Sequence, residues 1–226
     1  MRVVKVAGHG VAVEEAVKAL GTYPPFTVEF YDGWCAPVMD GFTPTDMGRL
    51  IVIEALTQAQ VKSLAHACED APWSLVPADA RLVDASPDPS GGRHLYADAT
   101  TLFEHFTAQD GIGPAIASKF LHLKRPAFYP LLDSYIRNLY EEQAVDCYRR
   151  STYWQSNRPS WKSLYWAAIR EDLVDLDNVK ALTAVRAQLG QVEGEHHRRL
   201  SAVSEVRLLD MLGWLIARGA LGASRI

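Results

Sequence analysis

Cysteine is scarce in this sequence. Its 226 residues hold three, Cys35, Cys68 and Cys147. Their odd number and wide spacing argue against a disulfide framework, and three are too few for a four-cysteine iron–sulfur cluster. No CxxC or HExxH pattern occurs, and the adjacent His196 and His197 diverge on a helix, so neither a metal nor another cofactor is expected. Long apolar runs are missing too. Without a run of about 18 apolar residues, no membrane span is expected. The opening stretch carries Glu14 and Glu15 where a secretory leader is apolar, which points to a cytoplasmic protein. Net positive charge is also lacking: the formal charge is −4, which counts against a nucleic-acid binder.

The distribution of charge qualifies that exclusion. Residues 1–110 carry 7 basic and 15 acidic side chains, residues 111–170 carry 9 and 4, and residues 171–226 carry 7 and 8. A basic segment inside an acidic chain is either an electrostatic footprint for phosphates or a set of solvated helix faces.

Apolar spacing predicts helices over Val11–Leu20, Asp46–Leu56 with Thr45 as cap, and Gln58–Cys68 with Thr57 as cap. Further helices are expected over Asp98–Gln109, Pro114–Leu123, Leu131–Tyr140, Trp161–Leu173 with Ser160 as cap, Asn178–Leu189 and Ser204–Arg218. Phe26–Tyr31 alternates and suits a strand or an extended arm. Glu69–Gly92, with four prolines and Ser90-Gly91-Gly92, reads as a long loop or linker. The expected fold class is all-α, with 1–226 forming one compact two-lobed helical domain.

The informative stretch begins at Thr101 and reads TLFEHFTAQDGIGPAIASKFLHL. One helix runs into Gly111-Ile112-Gly113 and another follows at once. Glycines on either side of an apolar residue allow a tight turn with outward N–H groups. Those groups, at a helix N-terminus, favour an anion. Ile112 plugs the hairpin, and Ala117 lets the helices approach. Asp133 lies twenty residues after Gly113, opening the next helix in PAFYPLLDSYIRNLY.

Residues 98–140 thus resemble the helix-hairpin-helix DNA glycosylase superfamily. The resemblance implies that Gly111, Ile112 and Gly113 hold a DNA phosphate and that Asp133 is the catalytic carboxylate. It implies a monofunctional N-glycosylase acting on an extruded damaged or modified base and leaving an abasic site. Bifunctional members carry a nucleophilic lysine where this chain has Ala115, so no Schiff-base lyase step is implied. The partner would be duplex DNA with one nucleotide flipped; no obligate protein partner is inferred. Asp110, beside the hairpin, opposes phosphate binding. An acidic protein searches a genome poorly, which leaves room for a specialised target such as a modified base of phage DNA.

Lys119, Lys124 and Arg125 are candidate phosphate contacts, although cations ending a helix also complement its dipole. Residues 111–170 hold 11 of the 22 aromatic side chains. Tyr135, which follows Asp133 by two residues, and Tyr153 with Trp154 in a polar stretch are candidates for a base pocket or wedge. Trp34 and Trp73, both in loops, are further candidates for the pocket. Two other readings stand beside the enzyme: a non-catalytic helix-hairpin-helix DNA-binding module, and a helical interaction protein without a DNA role.

Overall fold

A computed structural model describes residues 2–33, 40–87, 95–222 and 224–225. The fold is all-α, and the described residues form eleven α-helices with one small sheet. The chain opens with a hairpin of β1 (Val3–Val6) and β2 (His9–Ala12). Ala7 and Gly8 turn it at φ 51° and 75°, the pair of positive values of a type I′ two-residue hairpin. β3 (Ser224–Arg225) adds to β2, giving the antiparallel order β1-β2-β3. The predicted helix from Val11 therefore starts later, as α1 (Val13–Gly21). Phe26–Tyr31 is not extended either: Thr27–Asp32 is a π-helical turn that buries Val28 and Tyr31, three residues apart.

α2 (Pro44–Leu50) is capped by Thr43 rather than Thr45. Thr43 accepts from the Asp46 N–H, and Asp46 accepts from Thr43 in return, a closed capping box. α3 (Gln58–Asp70) repeats the device with Thr57 and Gln60. Short 3-10 turns at Trp73–Leu75 and Leu82–Asp84 interrupt the proline-rich stretch. Then come α4 (Leu95–Thr107), α5 (Pro114–Lys124) and α6 (Ser134–Arg150). α7 (Thr152–Asn157), α8 (Trp161–Val174), α9 (Leu176–Gln191), α10 (Glu195–Ala202) and α11 (Glu205–Ala217) follow.

One continuous apolar cluster runs through these elements. Its aromatic centre is Trp166, whose ring lies within 5.5 to 6.3 Å of Tyr129, Phe103, Phe128 and Tyr96. α6 packs on both α8 and α11. Gly213 of α11 sits so close to Ile136 and Leu139 that a Cβ there would meet Ile136 Cδ1 at 3.0 Å. That close approach fixes the start of α6 against α11.

Candidate functional site

The hairpin forms as the spacing predicts. α4 and α5 pack together and are joined by a short turn in which Gly111 has φ +76°. Only glycine adopts that conformation without strain. Ile112 is buried and its N–H donates to Gln109 O at 3.1 Å. Gln60 of α3 braces the turn from outside, donating to Gly111 O at 2.9 Å. Gly113 differs: its φ of −78° is ordinary, and a Cβ there would meet nothing within 4 Å. The fold does not require glycine at 113, and the space around its Cα is open. Pro114 opens α5 and has no N–H, which removes one donor from this nest. Exposed Lys62 and His66 of α3 lie across an open depression from Gln109 and Asp110. Sequence reasoning missed them because nothing local ties α3 to the hairpin.

Asp133 is the N-cap of α6; its Oδ1 accepts from Ile136 N–H at 2.9 Å. It is half-buried. The residue before it is anchored to the hairpin's second helix, because Leu132 N–H donates to Ser118 Oγ at 3.1 Å. Ser118 lies five residues after Gly113, about 7.5 Å along the helix. One short element thus carries both the glycine turn and the support for Asp133.

Beneath Asp133 lies a buried ionic cluster. Arg207 of α11 donates to both oxygens of Asp32, at 2.8 and 3.1 Å, to Asp210 and, at 3.3 Å, to Tyr23 Oη. Burial pushes the Asp210 carboxyl up to about 7 against the pull of Arg207, and the negative charge of Asp133 adds to the rise. Burial likewise raises Asp32, again opposed by Arg207. Tyr135 stands half-exposed beside Asp133 with its ring edge-on to Trp214 at 6.5 Å, and Trp214 meets Tyr23 at 5.4 Å. A cavity of about 310 Å³ opens next to Arg207 and Asp32, walled by the C-terminal end of α5 and the start of α11.

The predicted basic contacts are elsewhere. Lys119 is buried, 2.5 Å from Glu54. Lys124 has no exposed surface and pairs with Asp46 at 2.7 Å. Arg125 is buried, donates to Asp40 at 2.8 Å and to Val76 O, and lies over the Trp73 ring. These three cations neutralise carboxylates of the N-terminal half and do not face solvent, which corrects their assignment as DNA contacts. Lys162 repeats the pattern with Glu104 at 2.8 Å. Four of the nine basic residues of segment 111–170 are thus an internal complement to acidic residues before it.

The aromatic candidates divide in the same way. Trp154 is buried against Tyr96 on a short helix, not an exposed loop, so it is core and not a wedge. Tyr153 sits on that helix beside a separate cavity. The 17 residues of α6 separate both from Asp133, about 25 Å of helix, so neither belongs to a site built on it. Trp73 packs on Phe106 and Phe120 in the core. Trp34 lies outside the described residues. No cluster of three or more metal-binding side chains occurs among the described residues, and no helix there is long and apolar enough to cross a membrane.

Fold and site together define an all-α protein in which a glycine hairpin and an aspartate-capped helix share one support. A family model described as "Family of unknown function (DUF6308)" matches residues 16–217, and the chain belongs to that family. No curated protein and no solved structure matches it.

Proposed function

We propose that this protein binds DNA through the Gly111–Gly113 turn and acts in the cytoplasm as a monofunctional DNA N-glycosylase, with Asp133 as its catalytic carboxylate. The observation that carries the reading is the Ser118–Leu132 hydrogen bond, which couples the turn to the aspartate. A phosphate at the turn would register the backbone, and a flipped nucleotide would bring its sugar to Asp133. Departure of the base leaves an oxocarbenium-like sugar. A carboxylate beside C1′ stabilises that cation and orients the attacking water. Ala115 cannot form a Schiff base, and Lys119 is buried and paired with Glu54, so hydrolysis without strand cleavage is the expected outcome.

A non-catalytic DNA-binding module is the second reading, favoured by the internal pairing of Lys119, Lys124 and Arg125. One experiment separates the two. The protein and its Asp133→Asn variant are incubated with DNA panels carrying damaged and naturally modified bases, then treated with hot alkali. Breaks made by the wild type alone support the glycosylase. Binding without breaks on every panel supports the module, and neither binding nor breaks removes the DNA reading altogether.

A further inference from the structure

We propose that the cavity bounded by Arg49, His122 and the start of α11 recognises a 6-oxopurine base. Arg49 is 6% exposed. Its Nε donates to Tyr31 O at 2.8 Å, its two terminal nitrogens have no hydrogen-bond or ion-pair partner, and the residue lines the cavity. A guanidinium keeps its proton; the terminal nitrogens are not sealed from solvent, and their charge acts on Asp32, so they are open to donate to an occupant of the cavity. Asp32 lines the same cavity, but each of its oxygens already accepts from Arg207.

His122 supplies the complementary group. Burial depresses it to about 3, so it is neutral at physiological pH. Its Nδ1 lies 2.7 Å from Tyr129 O. A carbonyl only accepts, so Nδ1 carries the proton and Nε2 presents a lone pair. That Nε2 has no partner, and His122 lines the cavity. The cavity therefore offers a donor fork and a neutral acceptor, beside the Arg207-paired Asp32 carboxylate, between apolar walls that include Leu123, Pro126 and Val203.

A simple oxyanion fits this lining poorly, because it would meet both the Asp32 carboxylate and the imidazole lone pair. A 6-oxopurine fits it well. Its N7 and O6 accept from an arginine fork, and the N1–H beside O6 donates to an imidazole nitrogen. Adenine reverses both features, with an amino group in place of O6 and a lone pair at N1. The volume of about 310 Å³ accommodates a purine with its sugar edge. Placing that base on a DNA strand rests on the proposed function; the recognition itself is tested without DNA.

The test is calorimetric titration of the full chain with inosine, guanosine, 1-methylinosine, adenosine and inorganic phosphate. Inosine and guanosine should bind, with adenosine and 1-methylinosine about tenfold or more weaker. Arg49→Lys keeps the charge but loses the fork, and should weaken inosine by about tenfold. The inosine and 1-methylinosine pair gives the same answer without a variant if Arg49→Lys misfolds. Equal binding of adenosine, binding of phosphate alone, or no nucleoside binding at millimolar concentration overturns the proposal. Base release from DNA by a protein that ignores free nucleosides would sink this inference and leave the glycosylase; nucleoside binding without base release would do the reverse.

Discussion

Lys124→Met tests whether the basic segment faces inward. Lys124 has no exposed surface, its ammonium lies 2.7 Å from Asp46 Oδ2, and it sits 5.4 Å over the Phe120 ring. Methionine keeps most of the side-chain volume, so the principal loss is charge. It leaves Asp46 buried with only its contacts to Thr43. Removing one partner of a buried ion pair costs about 3–5 kcal/mol. For a chain of this length each kcal/mol lowers Tm by about 2–4 °C, so the drop should be roughly 6–20 °C. Scanning calorimetry reads it directly. Adding Asp46→Asn removes the stranded charge while keeping the cap, and should recover part of the loss. DNA affinity measured against salt supplies the opposing result. A lysine that contacts phosphate contributes about 0.9 to the slope of log K on log salt. An unchanged Tm with a slope reduced by that amount would refute the reasoning and return Lys124 to the surface.

Asp133→Asn should abolish base release while changing stability by less than about 1 kcal/mol, because asparagine caps a helix as well as aspartate; a large fall in the urea midpoint would mean that the aspartate is chiefly structural. Gly111→Ala should destabilise by about 1–2 kcal/mol, since φ is +76° and Gln60 Cγ stands 3.3 Å from the added Cβ. A fluorescence melt indistinguishable from wild type would contradict that strained turn. Asp210 gives a pH signature. Its folded value of about 7 exceeds the ordinary aspartate value of about 3.9, so the native state holds an extra proton between them. Its contribution is full below about pH 4 and is lost as pH rises towards 7. Urea midpoints of Asp210→Asn should therefore gain on wild type across that window, and a gap independent of pH would contradict it.

Much of the helical framework was legible because its signals are local. Thr57, Asp133 and Ser204 each cap the helix whose start they mark. The N-terminal hairpin was not, because its turn is Ala7-Gly8 and Ala7 rarely takes a positive φ. The π-helical turn was misread because Phe26, Val28 and Phe30 alternate, yet burial follows Val28 and Tyr31. The hairpin and Asp133 could be placed from sequence because they lie on one short stretch. The fate of the cations could not: Lys124 and Asp46 are 78 residues apart, and Lys119 and Glu54 are 65 apart. Arg49 sits in a helix of unremarkable composition, and only tertiary packing around Tyr31 and His122 ties its Nε to Tyr31 O and leaves its terminal nitrogens to the cavity.

The pairing of carboxylates before residue 110 with ammonium and guanidinium groups after it makes each half of the chain the other's counterion. A fragment beginning near α4 would keep the hairpin and Asp133 but strip Lys119, Lys124 and Arg125 of their partners. Any polyanion affinity that those stranded cations gave the fragment would say nothing about the intact protein. Substitutions at these positions should likewise be tolerated in pairs across the two halves, so that Glu54 and Lys119, or Asp46 and Lys124, change together or not at all.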